Sequence, residues 1–327
     1  MQSYWIQIGP DGATLQLRDV TRPEPGDGQL LVRMHAAGLN RGEFILGHGL
    51  IGSSGAKPIG LEGAGEVVSA GPRAGDWKPG ERVMGRCPAA FSEFALMDMR
   101  EAMRVPPNLS FVQAAAIPLA FQTAYDLLVL QGRLSAGEWL LVTGVSSGVG
   151  VASLQIAKHL GARVIGTSGA PGKLARLEPL GLDRGIATRQ GDFHDAVMAA
   201  TGGKGVDLVV NTVGGSVFAE CIRCLGFEGR LGVVGYVDGV LTAQIDLQAL
   251  HAKRLTLFGV SNKLRTAQQR AAAVPAFSTD LLPAFASGRI EPLVDRVFPF
   301  AHFGEARAHM EANRHVGKVV LAITPSL

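Results

Sequence analysis

The sequence predicts an α/β protein in two parts: a small β-barrel-like domain and a doubly wound parallel sheet covered by helices on both faces. Three observations carry this reading. The first third is a series of short apolar runs separated by turn residues. Near residue 112 the texture changes to alternating strand-like and helix-like segments. Between them, Val142-Thr143-Gly144-Val145-Ser146-Ser147-Gly148-Val149-Gly150 joins a buried run to a helical one. A chain of 327 residues also exceeds what one hydrophobic core usually serves.

The elements follow in order. Residues 30–37, 63–68 and 81–85 read as strands. Pro23-Glu24-Pro25-Gly26-Asp27-Gly28 and Gly71-Pro72-Arg73-Ala74-Gly75-Asp76 supply the turns. Short strands at this spacing predict the barrel-like domain. Residues 112–130 are apolar at helical spacing, with a break expected at Pro118. Residues 139–143 form a strand, 149–160 a helix closed by Gly161, and 163–167 the next strand. Residues 206–211, 229–234 and 255–259 are further strands. Continuous apolar strands between helices imply a parallel sheet buried on both faces. A helical segment then runs from 264 to 287, followed by an extended stretch at 292–300, a helix at 303–313 and a strand at 318–323. That tail is expected to return to the β domain.

Composition excludes several classes. Apolar residues make up 47% and charged residues 18%, so disorder is not expected. The net charge is +3, with no basic run to bind nucleic acid. Mean hydropathy is +0.21, yet Pro118, Gln122, Asp126 and Gln131 interrupt the longest apolar stretches. No window offers the ~20 apolar residues of a spanning helix, so no membrane partner is expected. Met1-Gln2-Ser3-Tyr4-Trp5 has no signal-peptide pattern. Three cysteines make no disulfide framework, which points to a reducing cytoplasm.

The 142–150 segment has the context of a dinucleotide-binding turn. Small residues let the backbone approach a pyrophosphate, and the helix N-terminus offers free N–H groups and positive potential. Gly144, Ser146, Ser147, Gly148, Val149 and Gly150 are the expected contacts. The spacing is not G-x-G-x-x-G, so an ordinary glycine-rich βα turn is the alternative. A NAD site usually ends its second strand on Asp or Glu. Here that strand ends Thr167-Ser168-Gly169, with Lys173 and Arg176 beyond it. NADPH is therefore the expected cofactor, with Ser168 and Lys173 near the 2′-phosphate.

Taken together, the segments resemble the zinc-independent quinone oxidoreductase branch of the medium-chain dehydrogenase/reductase superfamily. The resemblance rests on Ala36-Ala37-Gly38-Leu39-Asn40-Arg41-Gly42-Glu43, Gly60-Leu61-Glu62-Gly63-Ala64-Gly65-Glu66-Val67, Lys78-Pro79-Gly80-Glu81-Arg82-Val83, Gln122-Thr123-Ala124-Tyr125, residues 209–215 and Gly317-Lys318-Val319-Val320-Leu321. It implies a GroES-like catalytic domain from residues 1–122 and 264–327, and a Rossmann domain from 123–263. The cofactor would lie in the cleft between them. It also implies a homodimer paired through the strand at 255–259. Thr123, Val213, Gly235, Tyr236, Ser261 and Asn262 would line the cofactor, and Arg189 would stand near the 2′-phosphate.

Zinc enzymes of the superfamily place Cys where Asn40 stands and His where Leu61 stands. Only Cys87 falls in the structural-zinc region. Neither tetrahedral site can be built, so no metal is expected. Cys221-x-x-Cys224 lies in a predicted helix without a second ligand pair and reads as structural. Without a Lewis acid, alcohol deprotonation is difficult at neutral pH. Reduction of a quinone or other α,β-unsaturated carbonyl is easier, because its negative charge delocalises. Asn40 would donate to the acceptor oxygen or position the nicotinamide ribose; a loop-stabilising Asx hydrogen bond is the alternative. The family's Tyr after the Asn is missing, which leaves Tyr125, His48, Tyr236 or water as proton source. Phe44, Ile45 and Leu50 suggest an apolar acceptor pocket. Two other readings stay open: a non-catalytic NADPH-binding protein, and a trans-acting enoyl reductase.

Overall fold

The computed structural model describes residues 1–9, 12–44 and 55–323. The chain divides into two compact units, Met1–Gln122 with Asn262–Leu327, and Thr123–Ser261.

The first unit is mostly antiparallel β. Its strands are β1 (Gln2–Gly9), β2 (Gly12–Asp19), β3 (Gln29–Gly38), β4 (Gly55–Pro58), β5 (Glu62–Ala70), β6 (Arg82–Arg86), β7 (Phe94–Asp98) and β8 (Ala102–Arg104). Strands β15 (Val294–Pro299) and β16 (Lys318–Ala322) arrive from the far end of the sequence. One sheet has the order β2-β1-β4; the other runs β15-β16-β3-β5-β6-β8, and β7 also pairs with β3. The core gathers around Phe303, whose ring meets those of Tyr4, Phe91 and Phe44 at 4.7, 5.0 and 5.9 Å. Aromatic pairs at these separations each add about 0.5–1.5 kcal/mol beyond simple burial.

The second unit contains β9 (Trp139–Thr143), β10 (Arg163–Ser168), β11 (Arg184–Ala187), β12 (Val206–Asn211), β13 (Leu225–Val233) and β14 (Thr256–Gly259). All pairings are parallel and the order is β11-β10-β9-β12-β13-β14. In order of appearance this is 3-2-1-4-5-6, the Rossmann arrangement. Leu140, Leu141 and Val142 of β9 and Leu208, Val209 and Val210 of β12 are fully buried, as a sheet covered on both faces requires.

Ten helices accompany the strands in the described residues: α1 (Phe111–Ala114), α2 (Pro118–Tyr125), α3 (Gly148–His159), α4 (Pro171–Ala175), α5 (His194–Ala200), α6 (Phe218–Cys224), α7 (Leu247–Ala252), α8 (Ala267–Ala271), α9 (Val274–Ala286) and α10 (Phe303–Glu311). The helix expected over 112–130 is broken into α1, α2 and a wider π turn at Asp126–Gln131. Pro118 opens α2, where its missing N–H costs nothing. The helix expected over 264–287 divides into α8 and α9, with Pro275 in the first turn of the second. No helix among the described residues is long and apolar enough to cross a membrane.

Cys87, Cys221 and Cys224 are buried. Burial pushes the Cys87 and Cys224 thiols up to about 12, and the Cys221 thiol well above its ordinary value. The thiolate is the reactive form. A disulfide-exchange reagent near neutral pH is therefore expected to leave the folded protein untouched and to titrate all three cysteines after denaturation. Rapid reaction of the native protein would contradict this.

Candidate cofactor site and a buried charge cluster

Most of the expected cofactor residues fall along one edge of the second unit's sheet. The carboxyl ends of β9, β12, β13 and β14 lie in register at Thr143, Asn211, Val233 and Gly259. The segments that follow carry Gly144, Val213, Gly235 and Ser261. β10 ends at Ser168 and β11 at Ala187, paired directly, and Arg189 follows two residues on. In an open α/β sheet, ligands bind outside this edge, where the strand order reverses. The reversal here lies between β9 and β12.

At that point the backbone is held by a polar brace that sequence reading missed. Thr143 Oγ1 donates to Asn211 Oδ1 (3.2 Å) and accepts from Thr212 N (3.1 Å). Thr212 Oγ1 donates to Thr143 O at 2.7 Å. Asn211 Oδ1 also accepts from Val213 N and Gly214 N, each at 3.0 Å. The signal was available: Thr143, Asn211 and Thr212 are polar residues closing otherwise apolar strands.

The turn between β9 and α3 fits a pyrophosphate. Gly144 is left-handed (φ 65°), and a β-carbon there would lie 2.6 Å from Thr212 Oγ1. A β-carbon at Gly150 would lie 2.6 Å from Gly144 O, so the turn closes only with glycine. Ser147 caps α3, its Oγ accepting from Gly150 N at 3.1 Å. Its hydroxyl proton stays available to a phosphate oxygen. The first-turn N–H groups of Gly148 and Val149 have no intrahelical acceptor, and the helix dipole favours an anion there.

Beside the turn, Ser146 Oγ and Ser168 Oγ lie 3.4 Å apart. The Arg189 guanidinium lies against Gly169, since a β-carbon there would fall 2.6 Å from its Nε. A hydroxyl and a guanidinium therefore flank the end of β10, where a carboxylate would select NAD. Lys173 sits half-buried in α4. Thr123 lies in α2, and Tyr236 is 39% exposed beyond β13. Tyr125 is 2% exposed, so its ring is enclosed by protein.

The first unit contains a buried cluster of charges. Lys318 Nζ donates to Glu62 Oε1 (2.6 Å), Asn40 Oδ1 (2.8 Å) and Leu39 O (2.8 Å), which uses all three of its protons. Asn40 Nδ2 donates to Glu43 Oε1 (2.9 Å) and Glu62 Oε1 (3.0 Å). Glu62 Oε2 accepts from Leu119 N at 2.7 Å. Glu62 is fully buried and Glu43 is 3% exposed. Burial pushes the Glu43 carboxyl up to about 8, against the opposing pull of the Asn40 hydrogen bond and Lys318. The cluster thus pairs one cation with one carboxylate and keeps the second carboxyl protonated near neutrality.

Asn40 is accordingly occupied within its own loop. Both amide protons and the amide oxygen have protein partners. Phe44, expected beside the acceptor, is seated in the first unit's core against Phe303, with Arg307 over its ring. Asn262 Oδ1 accepts from Arg265 Nη1 at 3.4 Å. His48, Ile45 and Leu50 lie outside the described residues. No group of three or more His, Cys, Asp or Glu side chains that could hold a metal occurs among the described residues.

A parallel six-stranded sheet in this order, with a glycine-rich turn at its reversal point, is the arrangement of a dinucleotide-binding Rossmann domain. Known proteins agree. Residues 26–107 match the alcohol dehydrogenase GroES-like domain, and residues 148–277 match the zinc-binding dehydrogenase domain. A mycobacterial protein solved in complex with NADPH superposes with a TM-score of 0.86 at 29% identity, over 99% of this chain and 100% of that one. The CurK enoyl reductase gives a TM-score of 0.84 at 25% identity, over 99% and 100%. The quinone oxidoreductase-like protein 2 of Bos taurus is 28% identical over 316 residues, 94% of this chain and 89% of the relative. The spectinabilin polyketide synthase protein NorB of Streptomyces orinoci is 33% identical over 303 residues, 91% of this chain. The chain spans only 13% of that synthase's length. The chain belongs to the medium-chain dehydrogenase/reductase superfamily.

Proposed function

We propose that this protein is an NADPH-dependent, zinc-independent reductase of quinones or other α,β-unsaturated carbonyls. The observation that carries the reading is the end of β10, where Ser168 and Arg189 stand beside the phosphate turn and no carboxylate does. Ser146, Ser147 and the N–H groups of Gly148 and Val149 would hold the pyrophosphate. Ser168 and Arg189 would hold the 2′-phosphate, with Lys173 nearby. Thr123, Val213, Gly235, Tyr236, Ser261 and Asn262 remain the proposed contacts of the nicotinamide half. When bound, the cofactor supplies the hydride. Asn40 acts as a positioning residue, fixing its loop through Lys318 and the two glutamates. Zinc independence is supported by Asn40 and Leu61 at the positions where zinc relatives carry ligands. It is also supported by the Lys318 ammonium, which already neutralises Glu62.

The deciding experiment follows NADPH consumption by metal-stripped protein with ortho-quinones, para-quinones and enals, and NADH alongside. Turnover with NADPH is expected. Tight NADPH binding without turnover would instead favour the non-catalytic binding protein. The polyketide synthase relatives and the likeness to the CurK enoyl reductase favour one further acceptor, an enoyl thioester on a carrier protein. Turnover of that substrate with none of the free acceptors would select the trans-acting enoyl reductase.

A homodimer through β14 belongs to the same proposal. β14 is an edge strand and Leu257 is 38% exposed. Two copies could pair along this edge. Leu257→Glu would then place like charges near the pairing axis. Light scattering is expected to find a dimer in the parent and a monomer in the variant; a monomeric parent would overturn the assignment.

A further inference from the structure

A cavity of about 520 Å³ lies within the first unit. Strand alternation puts Ser3 and Trp5 of β1 on its side, while Tyr4 and Ile6 face the core. Trp5, Val20, Pro58, Phe94 and Leu96 give it apolar walls. Charge is concentrated in one place. Arg86 and Arg270 converge there on a single carboxylate, Glu101, which is 5% exposed.

Arg270 satisfies that carboxylate. Its Nε reaches both Glu101 oxygens at 3.3 Å and its Nη1 donates to Arg265 O at 2.6 Å. Arg86 comes second. Its Nε is 4.0 Å from Glu101 Oε2, and it makes no hydrogen bond to any described residue, although its side chain is only 20% exposed. Burial, and the repulsion of Arg270 after it, lower its pKa. A guanidinium offers five donors in a fork that matches a carboxylate. The other carboxylate lining the cavity, Asp98, is taken by Arg100 through contacts of 2.6 and 3.0 Å. In the same wall, Trp5 Nε1 is buried with no acceptor among the described residues. Leaving a donor unpaired away from water is costly.

We propose that this cavity is a binding site for an apolar monocarboxylate, its head on Arg86 and its body against the Trp5 and Phe94 walls. The positive charge of Arg86, beyond the Arg270–Glu101 pair, favours an anionic head group. An uncharged ligand would leave Arg86 with only its 4.0 Å approach to Glu101. The volume lies within the 300–1,000 Å³ typical of small-molecule sites. The proposal is independent of the reductase reading, because none of these residues belongs to the nucleotide turn.

The test is calorimetric titration of the full chain with decanoate, and with decanol as the uncharged control. Decanoate is expected to bind with one-to-one stoichiometry, at least tenfold tighter than decanol. Arg86→Gln is expected to weaken decanoate at least tenfold and to leave NADPH binding unchanged. Trp5→Ala removes part of the apolar wall, and a severalfold loss is expected. Equal binding of decanol and decanoate would overturn the proposal. So would undiminished decanoate binding in an Arg86→Gln protein that still binds NADPH. Should Arg86→Gln fail to fold, the decanol comparison and Trp5→Ala decide, and no effect in either rejects the site.

Discussion

Lys318→Met is expected to destabilise the protein by about 3–5 kcal/mol, the range for removing one partner of a buried ion pair. Methionine replaces most of the stem but none of the three donors. Glu62 Oε1, Asn40 Oδ1 and Leu39 O would each lose a hydrogen bond now between 2.6 and 2.8 Å. Glu62 would then be a fully buried carboxylate with no cation beside it. Denaturant titration of parent and variant measures the cost. The double variant Lys318→Met/Glu62→Gln should recover part of it, because the stranded charge is gone. A single-variant loss below about 1 kcal/mol, the value of an exposed pair, would sink the argument. Glu43 gives the cluster a pH signature. Its folded pKa of about 8 stands above its ordinary 4.5. The folded state therefore keeps a proton that the unfolded chain releases above 4.5. Glu43's contribution to stability falls as pH rises from 4.5 toward 8 and levels off beyond. Glu43→Gln should remove that slope.

Ser168→Asp is expected to reverse the cofactor preference. The side chain is 5% exposed, and a carboxylate there would face the proposed 2′-phosphate position with little solvent screening. Hydrogen bonds to charged groups contribute about 1.5–3 kcal/mol, so kcat/KM for NADPH should fall roughly tenfold to a hundredfold. NADH, with a ribose hydroxyl in place of the phosphate, should gain a partner. Arg189→Ala is the complementary arm and should weaken NADPH while leaving NADH unchanged. Steady-state kinetics with both cofactors read the two variants. An unchanged preference in both would refute the assignment of Ser168 and Arg189.

Much of the second unit was legible because its elements follow strict periodicities. β9 and β12 are apolar runs bounded by polar residues, and both coincide with the expected spans 139–143 and 206–211. The Ser168 strand end was readable from spacing alone. In the first unit only three early strands were anticipated. β1 and β2 were not, although Tyr4, Ile6 and Ile8, and Leu15 and Leu17, recur at every second position as a half-buried strand requires. The charge cluster was not legible either. Asn40, Glu43, Glu62 and Lys318 are scattered over nearly the whole sequence, and only the pairing of β3 with β5 and β16 brings them together. Lys318 did carry a local sign, a charged residue opening the apolar run Lys-Val-Val-Leu-Ala. Arg189 was located by analogy; its contact with Gly169 depends on the β10–β11 register.

The placement of β16 has a consequence for how the chain is made. β3 is paired by β16 at residues 36–38, and Glu62 receives its ammonium from the same strand. A ribosome delivers β3 and Glu62 more than 250 residues before β16. Until residue 318 emerges, the nascent first unit has an unpaired strand edge and a carboxylate without its counter-ion. The second unit is continuous in sequence and can fold during that interval. An exposed edge invites pairing with another chain. Ribosomes that stall or terminate between residues 262 and 317 would release a protein with one finished half and one adhesive half.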